Sequence, residues 1–547
     1  MKNKTILFLL LTILVSFTVD TSLFSQPSTV WSQLYNGPAN QQDSAVGITM
    51  NSSGMVFVTG WSFGSGTLQD IATIRYDPNT GDTIWVSRYA TNLEERVTSI
   101  TCDNNAVYIT GWSFAPTRDI LTVKYDAVTG AQVWARLYPG TGNGGDYGFA
   151  IAVDASGNVY VTGRSDIGGS QKFTTLKYDA AGNLAPGWPS VYTGGLSTAF
   201  DQAQDIKVDN SGNVYVTGKS GSPGTEDFLT LRINSGGTVD WAKKYNGTSG
   251  GEDNALALVM DNAQQNIYVA GYSFRTGGVQ DYFTIRYSAA TGDSGAAASY
   301  NGPIISTDQI TAMTIDNQNN VYVTGFSAGN GTGLDYATIK YNSNLQQQWL
   351  RRTTNSGSDF PTSIAVEPVT GNVYVTGSSV GSGTGYDYLT ISYDNDGTVI
   401  WEKRENASAS LNDYASGVVV SDTDRVFVTG SANFSVIGVA FYTLRYSISV
   451  GIEPISGNVP TSFSLLQNYP NPFNPSTTIR FDISKSSFVT ISVFDVTGRE
   501  LEVLASENVR AGEYRVVWDA SKYSSGIYFY TLTAGDFRQT KKMMLIK

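Results

Sequence analysis

Along most of the chain, apolar and polar positions alternate with a period of two, in short runs broken by Gly, Asx and Ser. That period places successive side chains on opposite faces of a strand. NVYVTG at 158–163 and DIATIRY at 70–76 are typical runs. Three strings recur in fixed order. A VYVTG-like string ends at Gly60, Gly111, Gly163, Gly218, Gly271, Gly325, Gly377 and Gly430. A DxxTxxY-like string ends at Tyr76, Tyr125, Tyr178, Ile233, Tyr287, Tyr341, Tyr393 and Tyr446. The third centres on Trp31, Trp85, Trp134, Trp188, Trp241, Trp349 and Trp401, and the small run Ala296–Ala298 stands where one further tryptophan is expected. A fourth run precedes each VYVTG, as in FAIAV at 149–153, and joins it through turns such as DASGN at 154–158. Asx and Gly there accept the left-handed conformations of a tight hairpin.

Four strands per repeat of roughly 53 residues, eight times over and without helices, predict an all-β chain folded as an eight-bladed β-propeller. The tryptophan string comes first, at Trp31, and none follows Tyr446. The N-terminal strand, 30–36, is therefore expected to complete the blade formed by 414–446, with Trp31 as the ring-closure residue. The strings resemble the bacterial β-propeller repeat family often called SBBP over about 31–446. That family is named for seven-bladed propellers, which makes seven the alternative count.

Composition sharpens this picture. The 547 residues include 57 glycines and 32 tyrosines, and no histidine. That zero excludes Ser-His-Asp and Cys-His catalysis and imidazole-bound zinc. A single cysteine, Cys102, excludes an intrachain disulfide. The net charge of −12 opposes binding along a nucleic-acid backbone. Lys2 and Lys4 followed by the apolar run 5–19 read as a secretory signal peptide, 1–25, too short to span a bilayer. No other segment is long and apolar enough to do so. Residues 26–446 then form the propeller, 447–462 a Gly/Pro/Ser linker and 463–547 a separate module of short strands.

Acidic residues recur before the first strand of each repeat: Asp43, Glu95, Asp146, Asp201, Asp253, Asp308, Asp359 and Asp413. A second set precedes the third strand: Asp70, Asp119, Asp227, Asp281, Asp335 and Asp387, with Lys172 and Ala440 as exceptions. Both sets are expected on one rim. Such a ring suits Ca²⁺ or a cationic ligand; a feature repeated in nearly every unit is more economically a scaffold hydrogen bond, so no cofactor is expected. Trp61, Trp112 and Tyr272, just after VYVTG, are candidates for stacking on a glycan or protein ligand at the rim, or for packing between blades. Repeated third-strand Arg and Lys, such as Arg75 and Lys340, suit snorkelling or salt bridges. YDAVTGAQVW at 125–134 and RYDPNTGDTIW at 75–85 resemble the tryptophan-docking repeat of quinoprotein dehydrogenases. That resemblance implies an alternative, a quinoprotein-like enzyme, but its adjacent cysteine pair is missing. A carboxylate-based glycan-active enzyme is the other. No residue pair marks a catalytic centre, and a non-enzymatic binding or display scaffold is expected.

In the last module, strands such as TIRFDI (478–483) and IYFYTL (527–532) suggest an immunoglobulin-like β-sandwich. LLQNYPNPFNPSTTIRFDI (465–483), VFDVTGREL (493–501), GEYRVVWDAS (512–521), SGIYFYTL (525–532) and KKMMLIK (541–547) resemble the type A sorting domain of type IX secretion. The resemblance implies a Bacteroidota-type cell, passage through the general secretory machinery to the periplasm, and then a type IX translocon and a sortase. The destination is the outer-membrane cell surface or the medium. By position it assigns translocon recognition to Gly526, Tyr528, Lys541 and Lys542; a core role for Tyr528 is the alternative.

Overall fold

The computed structural model describes residues 27–114, 116–142, 144–193, 200–275, 278–353, 357–407, 411–421, 425–447, 453–456, 460–520 and 523–547. The expected signal peptide, 1–25, lies outside them, as does part of the expected linker. Among the described residues all regular structure is strand. The first part of the chain forms eight antiparallel four-stranded sheets. We number these blades 1 to 7 over 43–89, 95–138, 147–192, 202–245, 254–300, 308–352 and 359–405. In each the strands lie side by side in chain order, and the first packs on the first strand of the next blade.

Blade 8 takes three strands from 414–447 and its fourth from Ser28–Tyr35. Trp31 lies opposite Arg445 and Tyr35 opposite Phe441. The first strand of blade 1 packs in turn on blade 8, which shuts the ring. Closure leaves no unpaired blade face.

The recurring letters have local causes. In every blade the first strand carries a β-bulge opposite the end of VYVTG, as between Ala45 and Gly47 or Ala203 and Asp205. The bulge pushes a carbonyl towards the glycine: a Cβ on Gly60 would lie 2.1 Å from the Ser44 oxygen, and one on Gly218 2.0 Å from that of Gln202. Only glycine fits that approach. The two strings each carry a threonine because their hydroxyls pair inside the blade, as in Thr59–Thr73 and Thr217–Thr230, both at 3.0 Å. Buried hydroxyls thereby satisfy one another.

The tryptophans join blades. Trp31 Nε1 donates to the Pro78 carbonyl of blade 1, and its ring covers Gly81, where a Cβ would come within 2.6 Å. Trp85, Trp134, Trp241 and Trp349 repeat the contact on Gly130, Gly182, Gly292 and Gly397. The third-strand bases reach the same turns: Arg75 donates to the Ala127 and Val128 carbonyls and Lys340 to that of Asn395. Blade 5 departs from the rule. Ala296 replaces its tryptophan, and the glycine position of the blade 6 turn is Leu345, left-handed at φ 56° and buried against Ala296 and Ala298. A large side chain has moved from one side of the seam to the other.

The last module is a sandwich of two four-stranded sheets around Ile479, Phe481, Val516, Trp518 and Tyr530. Its first strand, Glu453–Ser456, pairs with Gly512–Asp519. The sandwich thus begins inside the stretch expected as linker, whose Gly and Pro content hid a four-residue edge strand.

Candidate functional site

Register sets the geometry of the rim. Asp43 lies opposite Ser62, and Ser62 opposite Asp70, so both acidic sets gather at one end of the sheets, as the spacing predicts. The first-strand acids are fully buried. Asp43 accepts from the Gly37 and Phe63 amides, Asp253 from Gly247 and Phe274, Asp308 from Gly302 and Ala328, and Asp413 from Ala407 and Asn433. Each clasps the loop arriving from the preceding blade to the end of the second strand of its own. Asp359 and Glu95 take hydroxyl donors instead, from Thr353 and Thr91.

Each third-strand acid also faces the first-strand acid of the next blade. Burial chiefly, and then mutual repulsion, raises the pKa of Glu95 beside Asp70, Asp281 beside Asp308, Asp359 beside Asp335 and Asp413 beside Asp387. Four guanidiniums relieve this. Arg88 meets Asp70 at 2.6 Å, Arg275 meets Asp281 at 3.3 Å, Arg352 meets Asp335 at 2.9 Å and Arg404 meets Asp387 at 3.4 Å. The two exceptions in the sequence fall at seams as well: Lys172 sits 3.8 Å from Asp201, and Ala440 leaves Asp43 without an acid opposite. Blade 2 has Leu137 where blade 1 has Arg88. There burial, with Asp119 adding to it, pushes Asp146 up to about 6. Among the described residues no three or more Asp, Glu or Cys side chains converge as a metal site. The acidic ring is spread blade by blade.

The expected stacking residues divide. Trp61 is half-buried with the Arg96 guanidinium 4.3 Å above its ring, and Trp112 is half-buried under Arg118 at 4.8 Å. Tyr272 is buried and its hydroxyl donates to Glu252 at 2.9 Å, so it packs within the scaffold and presents no free face.

Sequence reasoning missed the partners of these rings. Arg96, Tyr147 and Phe360 each occupy the position after the first-strand acid, and that position differs from blade to blade: Ser44, Arg96, Tyr147, Gln202, Asn254, Gln309, Phe360, Tyr414. Its register partner also varies: Trp61, Trp112, Arg164, Lys219, Tyr272, Phe326, Ser378, Ser431. Variation between otherwise constant neighbours was the available signal. The result is an uneven rim. Blades 1 to 4 carry alternating guanidinium and aromatic groups, ending with Lys219 5.1 Å from the Phe200 ring. Blades 6 to 8 carry the aromatic chain Phe326, Phe360, Tyr386 and Tyr414, with neighbouring centroids 5.5 to 6.1 Å apart.

In the sandwich the four sorting residues do not form one patch. Tyr528 is buried, donates to the Ser524 carbonyl at 2.6 Å and packs edge-on to Trp518 at 5.3 Å, which is a core role. Lys541 lies opposite Tyr530 and Lys542 opposite Phe529, on opposite faces of the last strand. Lys542 is exposed and Lys541 half-buried. Gly526 opens the strand that carries Tyr528, and a Cβ there would meet only ordinary contacts.

Residues 467–547 match the family described as the secretion system C-terminal sorting domain, and 133–169 match the β-propeller repeat family SBBP. A tail of that kind directs export to the outer-membrane surface or the medium through the type IX machinery. Among the described residues no helix is long and apolar enough to cross a membrane. No curated protein matches the chain. Among solved structures, the chain is similar to a quinohemoprotein alcohol dehydrogenase from Pseudomonas putida, at 13% identity over 77% of this chain and 76% of that one, with a TM-score of 0.49. It is also similar to the periplasmic gluconolactonase of Pseudomonas aeruginosa, at 12% identity, 68% and 98% coverage and a TM-score of 0.42. A third is the β-propeller domain of the trilobed protease from Pyrococcus furiosus, at 8% identity, 61% and 90% coverage and a TM-score of 0.33. What those proteins do is not carried over to this chain.

Proposed function

We propose that this exported chain is a non-enzymatic binding and display scaffold whose ligand face is the uneven rim. One observation carries the reading. Residues that build the ring repeat from blade to blade, whereas the paired positions headed by Ser44/Trp61 and Arg96/Trp112 change in every blade. A scaffold that repeats its framework and varies one face concentrates its chemical individuality there. The sandwich supplies the address and the propeller the cargo.

Two experiments test this. In cells with type IX secretion, the full chain is expected at the surface or in the medium, and a chain lacking 467–547 in the periplasm; equal delivery of both would refute the sorting role. Deleting only 541–547 confuses two effects, because Met543 and Leu545 are core residues. Lys542→Ala is the cleaner probe of recognition, since its side chain is exposed. For the propeller, a glycan and protein array should yield a ligand whose binding falls in Trp61→Ala or Tyr414→Ala with the fold intact. Ligand binding insensitive to every rim substitution would sink the proposal.

A further inference from the structure

The arginines of this rim are not equivalent. Arg88, Arg275, Arg352 and Arg404 each reach a carboxylate at 2.6 to 3.4 Å. Arg96 reaches Glu94 at 3.4 Å, and Lys219 reaches both Glu226 and Glu252. Arg118 and Arg164 meet no carboxylate among the described residues. They bracket one ring, Tyr147, at 5.8 and 4.6 Å from its centroid. Around them stand Trp112, Phe114, Phe149 and Phe200, all within 4.8 to 6.0 Å of one guanidinium or the other. Arg118 donates to the Tyr147 hydroxyl at 3.3 Å, and Arg164 to the side-chain oxygens of Gln171 and Gln202 at 3.0 and 2.9 Å. Neutral acceptors and aromatic faces hold both planes in place without cancelling their charge.

We propose that this seam of blades 2 to 4 is a subsite for an anionic sugar ring, one carrying a carboxylate or a sulfate. The inference rests on the rim being the ligand face and names what it takes. A guanidinium already packed on a ring keeps its N–H edge for an acceptor and loses little freedom on binding. Its fork matches a carboxylate or sulfate, and the adjoining Trp112 and Phe114 offer faces for the C–H side of a pyranose. Phe114 is 40% exposed, which leaves that face open. The net charge of −12 opposes nonspecific attraction of any polyanion, so retention of an anionic glycan has to come from local contacts such as these.

Affinity electrophoresis of the purified full chain through polygalacturonate, dextran sulfate and neutral dextran tests this. Retardation is expected in at least one anionic gel and none in dextran; the gel that retards tells carboxylate from sulfate. Arg118→Gln with Arg164→Gln should weaken retardation about tenfold or more, the scale of one lost charge-assisted pair. The double Lys variant should weaken it too, because a point charge lacks the fork. An unchanged thermal melt in both variants shows that the ring is intact. Equal retardation by dextran, full binding in the Gln variant, or full binding in the Lys variant would each overturn the subsite. A neutral ligand whose binding maps instead to Phe360 and Tyr414 would overturn it while leaving the rim as ligand face.

Discussion

Replacing Trp31 by alanine separates a closed ring from an open stack. Trp31 is buried, packs 6.0 Å from Tyr76 of blade 1 and 5.9 Å from Phe427 of blade 8, and donates to the Pro78 carbonyl. Truncating such a side chain costs about 3–5 kcal/mol, from lost transfer energy, an unfilled cavity over Gly81 and an orphaned acceptor. Trp241 is the internal standard: 9% exposed against 8%, donating to Ala289 at 3.2 Å, and seated on Gly292 between blades 4 and 5. In a closed ring the two seams are equivalent, so Trp31→Ala and Trp241→Ala should destabilise equally. Unfolding entropy scales with chain length, so for a ring this size the melting point falls by about 1 °C per kcal/mol, roughly 3–5 °C for either variant. Differential scanning calorimetry measures that shift, and hydrogen exchange over 28–35 shows whether the strand detaches first. A melt unmoved by Trp31→Ala but lowered by Trp241→Ala would refute closure, because it would make the N-terminal strand a dispensable appendage.

Three further outcomes follow from the same packing. Ala296→Trp should clash with Leu345, and Leu345→Gly should empty the seam, each costing about 1–3 kcal/mol; together they should recover most of the loss, and a chemical-denaturation cycle without positive coupling would refute the exchange. Asp146 titrates near 6 when folded, above the ordinary aspartate value, so the folded state binds more protons than the unfolded state between about pH 4 and 6. Stability from that group is present below pH 4 and lost as the pH rises through 6; Asp146→Asn should therefore raise the melting point at pH 8 and not at pH 4, and a gain confined to acid pH would contradict the sign. Gly218→Ala, pressing a Cβ onto the Gln202 carbonyl, should cost about 2 kcal/mol or more and open the bulge; an unchanged melt would show that the bulge does not require glycine.

Repetition made the blade order, the strand assignment and the closing strand legible, because eight copies serve as an alignment within one chain. The vacancy at Ala296 was visible too, but not its cure. Leu345 sits in an unremarked turn, and only the seam shows that it occupies the tryptophan's space. The strand at Glu453–Ser456 was illegible because four residues with a proline carry no period. The rim was half legible. Trp61 and Trp112 stand out by type, whereas Arg118, at the start of the third strand of blade 2, meets Tyr147 only across a blade boundary, a contact that no spacing encodes. Tyr272 shows the converse: the same position in the string, yet buried, because Glu252 captures its hydroxyl.

Because the strand that Ser28–Tyr35 pairs with, among the described residues, is Gly438–Ser447, this N-terminal segment has no ladder partner until the final repeat emerges, even though Trp31 already has its seat on blade 1. Until then its backbone groups stay unpaired, and any chain cut short before that repeat keeps a bare sheet edge for proteases or chaperones to find. The sorting sandwich emerges directly afterwards, so the segment that addresses the cargo becomes available only once everything needed to seal it is present.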